Sequence, residues 1–326
     1  MVQVNRRKFL FAAGGLLATP VIAQQSSRVY RVGVLLGGGA EPMATYRAAL
    51  VERLAEHGFV EHRNLRIEAR IGAVSGVDDR ARVRELVALK PDALLTCLTR
   101  GTLAAKKVAG SIPIVFTWVA DPIAAKFVQS YARPGGNITG VTNRFGELLV
   151  KRLELAHELL PGAKRVAVLG VVNVVYPLLS PRLRRAAEQL GVELAEFNVI
   201  DWGSSVEQAK VGGAAAVIPF AQFAAQGMRV SGESVVAAEL EHRVPVIFAG
   251  SEMVEAGGLI SYGTNIVDDV RRAADLLAQV LKGASAATLP VDQAARFELV
   301  VNLKTANAMG IAIPQSILLR ADRVIE

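Results

Sequence analysis

Polar side chains recur directly after the β-like runs of this chain, and they are the residues best placed to do chemistry. Thr99 follows the run at Ala93; Thr117 and Asp121 follow the run at Ile114; Thr142 and Asn143 follow a Pro-Gly segment. Further on, Asn173 follows the run at Arg165, Phe220 and Gln222 the run at Ala214, and Ser251 and Glu252 the run at Val244. Each alone reads as a helix N-cap. Together they recur at equivalent positions in two halves of the sequence, and open α/β sheets bind ligands beyond the carboxyl ends of their strands. Hydroxyl, amide and carboxyl groups in that position suit a small polar or zwitterionic ligand. Gly38, in the glycine-rich turn after the first run, and Tyr262, in a strand framed by glycines, complete the candidate set. Backbone N–H groups of such a turn can approach a ligand closely.

Bond-making chemistry has no comparable support. His57, His62, His157 and His242 match no ligand spacing, and His157-Glu158 lacks the second histidine of a metalloprotease motif. No G-x-S-x-G elbow occurs. The Gly37-Gly38-Gly39 turn fails the dinucleotide fingerprint at Pro42. Cys97 is the single cysteine and lies within an apolar run, which makes it a core thiol. The expectation is a binding protein, with no enzymatic activity, no metal and no cofactor.

The elements that must position these groups alternate. Tyr30 to Leu36, Leu65 to Ile71, Ala93 to Leu98 and Ile112 to Thr117 read as strands. Helices at Met43 to His57, Asp79 to Leu89 and Thr102 to Ala109 lie between them, the first two halted by Gly58 and before Pro91. This β-α-β pattern implies a parallel sheet covered on both faces. Ala132 to Asn137, rich in Pro and Gly, is the clearest break and reads as a linker. Beyond it come helices at Glu147 to Leu160, Pro181 to Leu190, around Ser234 to His242 and Val267 to Leu281, with capping-box spacing at Ser204 to Glu207. Strands at Arg165 to Leu169, Val192 to Val199, Ala214 to Ile218, Val244 to Phe248, Gly257 to Gly263 and Phe297 to Val301 complete the second half.

With 326 residues, 52% hydrophobic and 21% charged, the chain has room for about two cored domains and does not read as disordered. The formal net charge of +7 includes Arg6, Arg7 and Lys8, and no basic run follows, so nucleic acid is not an expected partner. Those three residues open a different feature. A basic stretch, the short apolar run Phe11 to Ala18 and small residues before Gln24 read as an export signal over residues 1–23, cleaved near Ala23. The Arg6-Arg7 pair followed by Phe9-Leu10 points to the twin-arginine route, with an ordinary Sec signal as the alternative. Periplasmic localisation follows.

Longer stretches carry a resemblance. Pro113 to Pro122, Ala132 to Thr142, Lys151 to Arg165, Glu255 to Gly263 and Phe297 to Thr305 resemble the ABC transporter substrate-binding family that includes tryptophan/tyrosine-binding proteins. The resemblance implies a type I periplasmic-binding-protein fold: α/β, two Rossmann-like lobes with parallel sheets, three crossovers, and a ligand cleft between the lobes. The first lobe would span residues 28–141 plus 264–290 and the second 142–263 plus 291–326, with hinges near Asn137 to Asn143, Gly263 to Asn265 and Pro290 to Ala294. It implies contacts at Thr99, Thr117, Asp121 and Asn143, an amino acid or related carboxylate as ligand, an inner-membrane ABC permease as partner, and a monomer. A periplasmic sensor presenting its ligand to a membrane receptor is the alternative. Two departures stand out. Arg100 replaces a frequent Pro and adds a cation to the cleft, and in the loop after Leu169 only Asn173 matches the family's Asn-Pro-rich turn.

Overall fold

The computed structural model describes residues 28–37, 40–72, 79–170, 175–198, 202–220, 232–294 and 296–326. The proposed signal, Gly38, Asn173 and Gln222 lie outside the described residues. The first half runs β1 (Tyr30–Leu36), α1 (Ala40–Glu56), β2 (Leu65–Ile71), α2 (Arg80–Ala88), β3 (Ala93–Cys97), α3 (Leu98–Val108), β4 (Ile114–Val119) and β5 (Ile138–Thr142). The second runs α4 (Phe145–Leu159), β6 (Arg165–Leu169), α5 (Tyr176–Leu190), β7 (Glu193–Phe197), α6 (Trp202–Val211), β8 (Ala216–Pro219), α7 (Gly232–His242), β9 (Ile247–Phe248), α8 (Ser251–Glu255) and β10 (Ile260–Gly263). Then follow α9 (Ile266–Leu281), β11 (Asp292–Gln293), β12 (Glu298–Asn302), α10 (Leu303–Met309), α11 (Gln315–Leu318) and β13 (Arg323–Ile325).

One six-stranded parallel sheet has the order β11-β5-β4-β3-β1-β2. β3, β4 and β5 are buried along their whole length, as strands covered on both faces must be, while edge strand β2 is mostly half-exposed. α9 joins this sheet although it follows β10 in sequence: Ala273 and Leu277 share a core with Leu50 and Leu54 of α1. The chain therefore returns to the first lobe after completing most of the second.

The second lobe is built from β7-β6-β8 and β13-β12-β10-β9. A parallel bridge from Val217 to Val246, with Val217 N–H donating to the Pro245 carbonyl at 2.8 Å, connects the two strand sets. β12 runs antiparallel to β10, and β13 parallel to β12, so this sheet is mixed at one edge. Glu239 on α7 ties the set together. Fully buried, it accepts from Val246 N–H at 2.7 Å and from Leu259 N–H at 3.1 Å, at the starts of β9 and β10.

Several expectations are corrected. Residues 138–142, placed in a hinge, form a central strand. Gly140 is needed there because a Cβ would fall 2.2 Å from the Phe116 carbonyl oxygen. Asn143 and Arg144 alone link β5 to α4. The helix expected from Pro181 begins at Tyr176 and carries Pro181 inside it. α3 begins at Leu98, not Thr102, and α6 at Trp202, two residues before the capping-box serine. Asp292 and Gln293 pair in parallel with Val141 and Thr142, which puts them with the first lobe's sheet rather than the second's. Cys97 is buried as expected, and burial pushes its thiol pKa up to about 12.

Candidate functional site

The carboxyl ends of β3, β4 and β5 lie side by side, and each is followed by a non-glycine residue in the left-handed region or ends on one: Leu98 (φ 66°), Trp118 (φ 58°) and Arg144 (φ 51°). Such backbone is costly for side-chain-bearing residues and concentrates where a site must hold groups in unusual directions. The same places hold polar atoms without partners. Thr117 Oγ1, Trp118 Nε1, Asn143 Oδ1 and Arg144 Nε are all buried and make no hydrogen bond. Leaving a buried donor or acceptor unpaired costs about 1–3 kcal/mol, and native proteins keep few such atoms. Four of them in two dipeptides at neighbouring strand ends form a first wall that a polar ligand would complete.

Around this wall the supports are specific. Tyr46 of α1 stacks edge-on against Trp118, ring centres 4.8 Å apart at 68°. Thr142 Oγ1 donates to the Val119 carbonyl at 2.7 Å and accepts from Arg144 N–H at 3.2 Å, which fixes the exit of β5. The Arg144 guanidinium pairs with Glu147 and lies 5.4 Å from the Phe297 ring centre, while Phe297 sits 6.1 Å from the Tyr262 ring. Arg144 just after β5, Phe297 just before β12 and Tyr262 within β10 therefore meet in one stack.

The second lobe carries the remaining candidates. Glu252, in the first turn of α8, keeps a water-facing surface. Even so, the protein crowding its carboxyl raises its pKa above the usual carboxylate range, chiefly by desolvation, with Glu255 and Glu298 adding repulsion. The Glu252 carboxylate folds back over Gly250, where a Cβ would fall 2.1 Å from Oε2. Phe220, at the end of β8, packs edge-on against Phe145 (5.4 Å) and Tyr176 (4.8 Å).

The expected residues divide accordingly. Thr117 and Asn143 come together with free polar atoms on neighbouring strands, and Glu252 of α8 lies close enough to Tyr46 to act on it electrostatically. Ser251 is half-buried beside Glu252, and Tyr262 is half-buried on β10. Thr99 is engaged otherwise: its Oγ1 accepts from Ala120 N–H at 3.3 Å and so ties α3 to the exit of β4. Asp121 works as a cap, its Oδ1 accepting from Ile123 and Ala124 N–H at 3.1 and 2.8 Å. Phe220 is buried in the second lobe's core. Arg100, expected as a cleft cation, pairs with the buried Asp79 at 3.2 Å. Tyr46, Trp118 and Arg144 were not among the expected residues. Trp118 and Arg144 follow directly on Thr117 and Asn143, and that adjacency was the only signal the sequence offered.

Comparison with known proteins identifies the family and the fold. The sequence profile of a family described as ABC transporter substrate binding protein matches residues 33–325. A tyrosine-binding protein of Clostridioides difficile is 25% identical over 267 residues, covering 81% of this chain and 76% of that protein. An ABC domain from Streptococcus pneumonia, solved in complex with L-Trp, is 25% identical, with a TM-score of 0.78 over 91% of this chain and 100% of that one. A solute-binding protein from Bacillus halodurans with bound myo-inositol shares the fold at 15% identity, with a TM-score of 0.61 over 87% of this chain and 98% of that one. The fold is that of type I periplasmic-binding proteins.

Proposed function

Since the chain belongs to the ABC transporter substrate-binding protein family, whose members bind solutes rather than catalyse, we propose that it is the exported receptor of an ABC importer for an aromatic amino acid. One observation carries the reading: the unpartnered Thr117, Trp118, Asn143 and Arg144 atoms at adjacent strand ends, opposite Glu252 on the other lobe. The first wall offers an amide oxygen, a hydroxyl and an indole N–H; the second offers a carboxylate for an ammonium group. Tyr46 and Trp118 supply an aromatic edge suited to an aromatic side chain. The amino acids named for the relatives support that choice of ligand.

In this reading the lobes close about the crossings at Asn143-Arg144, Gly263 to Asn265 and Ala294 to Phe297, bury the ligand, and present the closed shape to a permease. The N-terminal signal delivers the chain to the periplasm. The test is a thermal-shift screen of the mature chain against amino acids and small carboxylates. A true ligand at 100 times its Kd adds roughly 2.7 kcal/mol of stability, so tyrosine or tryptophan should raise the melting temperature and aliphatic amino acids should not. No response to any aromatic amino acid overturns the ligand assignment.

A further inference from the structure

Arg152 is the largest fully buried side chain of the described residues, at 1% exposure. It sits two turns along α4 from Phe145, and helical side chains lean toward the helix N-terminus. The guanidinium is accordingly carried up to 5.1 Å from the Phe145 ring centre, and Nε donates to the Tyr262 carbonyl at 2.8 Å. Phe145 opens α4 just past the first crossing, and Tyr262 lies near the carboxyl end of β10. The charge therefore lies at the cleft end of the second lobe, under its floor.

Nothing there answers it. Nη1 is buried and donates to no group, and no carboxylate among the described residues pairs with Arg152. Burial without an anion pulls its pKa down to about 9. A lone buried guanidinium is expensive, and the face of Phe145 offsets only part of that cost. The planar fork of donors matches a carboxylate, which can take two parallel hydrogen bonds from it.

The geometry points to Arg152 as the residue that binds the carboxylate of the transported solute from beneath the second wall. This rests on the solute-binding reading above, and it assigns the ligand's anionic end to the second lobe.

The test uses the full chain and its Arg152→Met variant, of similar volume and without charge. Melting curves are taken in sodium formate against sodium chloride at matched ionic strength. Formate should stabilise the wild type and leave the variant unmoved; equal responses overturn the assignment. Calorimetric titration then compares L-tyrosine with L-tyrosinamide. The wild type should prefer the acid by about tenfold or more, the effect of losing hydrogen bonds to a charged group, and Arg152→Met should lose that preference. Tyrosine and tyrosinamide binding the wild type equally well overturns the assignment without relying on any variant. If neither binds yet the formate response depends on Arg152, the aromatic ligand reading falls and the Arg152 assignment stands. Should Arg152→Met not fold, Arg152→Lys keeps the charge but not the fork. A weakened formate response then supports the proposal, and an unchanged one overturns it.

Discussion

The Glu252 carboxyl at the start of α8 lies near enough to the Tyr46 phenol of α1 to oppose its ionisation. Burial is the main reason the Tyr46 phenol holds its proton far above the usual range, and the Glu252 carboxyl raises it further. A ligand ammonium between the lobes would sit in that negative field. Glu252→Gln should weaken L-tyrosine binding about ten- to a hundredfold, the worth of a hydrogen bond to a charged group, about 1.5–3 kcal/mol. The pH dependence has a definite sign. Because the pKa of Glu252 is raised, its charge is lost on acidification earlier than that of an ordinary carboxylate. Affinity should therefore begin to fall above the normal carboxylate range, and a titration flat to that range counts against the contact.

Trp118 gives an optical readout. It is one of two tryptophans in the chain, is buried against Tyr46, and has an unpartnered indole N–H. Ligand binding should shift its emission, and Trp118→Phe should abolish the change. A ligand response that survives in the variant would assign it to Trp202 and remove Trp118 from the site.

Asp121→Ala separates cap from contact. Its Oδ1 already serves the backbone of Ile123 and Ala124, so removal should cost about 1 kcal/mol of stability. Affinity for a bound amino acid should stay unchanged in the same variant, as titration calorimetry beside a melting curve will show.

The buried acid Glu239 makes stability pH-dependent. Desolvation raises its folded pKa to about 8, against the pull of the two backbone N–H groups it accepts from. An acid with a raised folded pKa contributes stability that is complete below its unfolded pKa, about 4.5, and is lost as pH rises through the folded value. Melting temperature should thus decline from about pH 5 toward pH 8 in part through this residue. Glu239→Gln removes that slope while leaving one strand N–H poorly paired, at a cost of about 1–3 kcal/mol.

Closure itself is testable by small-angle scattering. With a saturating ligand the radius of gyration should fall, since a ligand shifts lobe geometry only by its differential affinity for the closed form. Saturated binding with identical curves would indicate a receptor that stays closed.

Much of the architecture could be read from residue types. β3 and β4 announced themselves as uninterrupted apolar runs because both faces are covered, and Thr117 and Asn143 drew attention because they stand near the ends of such runs. β5 was missed for a physical reason: Asn137 and Gly140 look like turn residues, yet Gly140 answers the close approach of Phe116 from the neighbouring strand. Local periodicity contains no such long-range contact. For the same reason the hydrogen bond from Ala120 N–H to the Thr99 hydroxyl could not be read, since only the fold brings the two together. Arg152 gave no signal, because an arginine on an amphipathic helix looks solvated until Tyr262, 110 positions later in the chain, is laid beside it.

The edge strand β11 has a consequence for how the chain comes into being. Its partner β5 is made far earlier, and the Thr139 hydroxyl donates to the Leu289 carbonyl across 150 positions. α9, which closes the core over α1, arrives equally late. During synthesis the first lobe must therefore wait, its β5 edge unpaired and one face uncovered, until nearly the whole chain has emerged. Pairings so distant are slow to close and leave sticky edges in the interval. A nascent chain held in that state is a natural client for a holding chaperone, and truncations that stop short of residue 293 should aggregate rather than yield a foldable fragment.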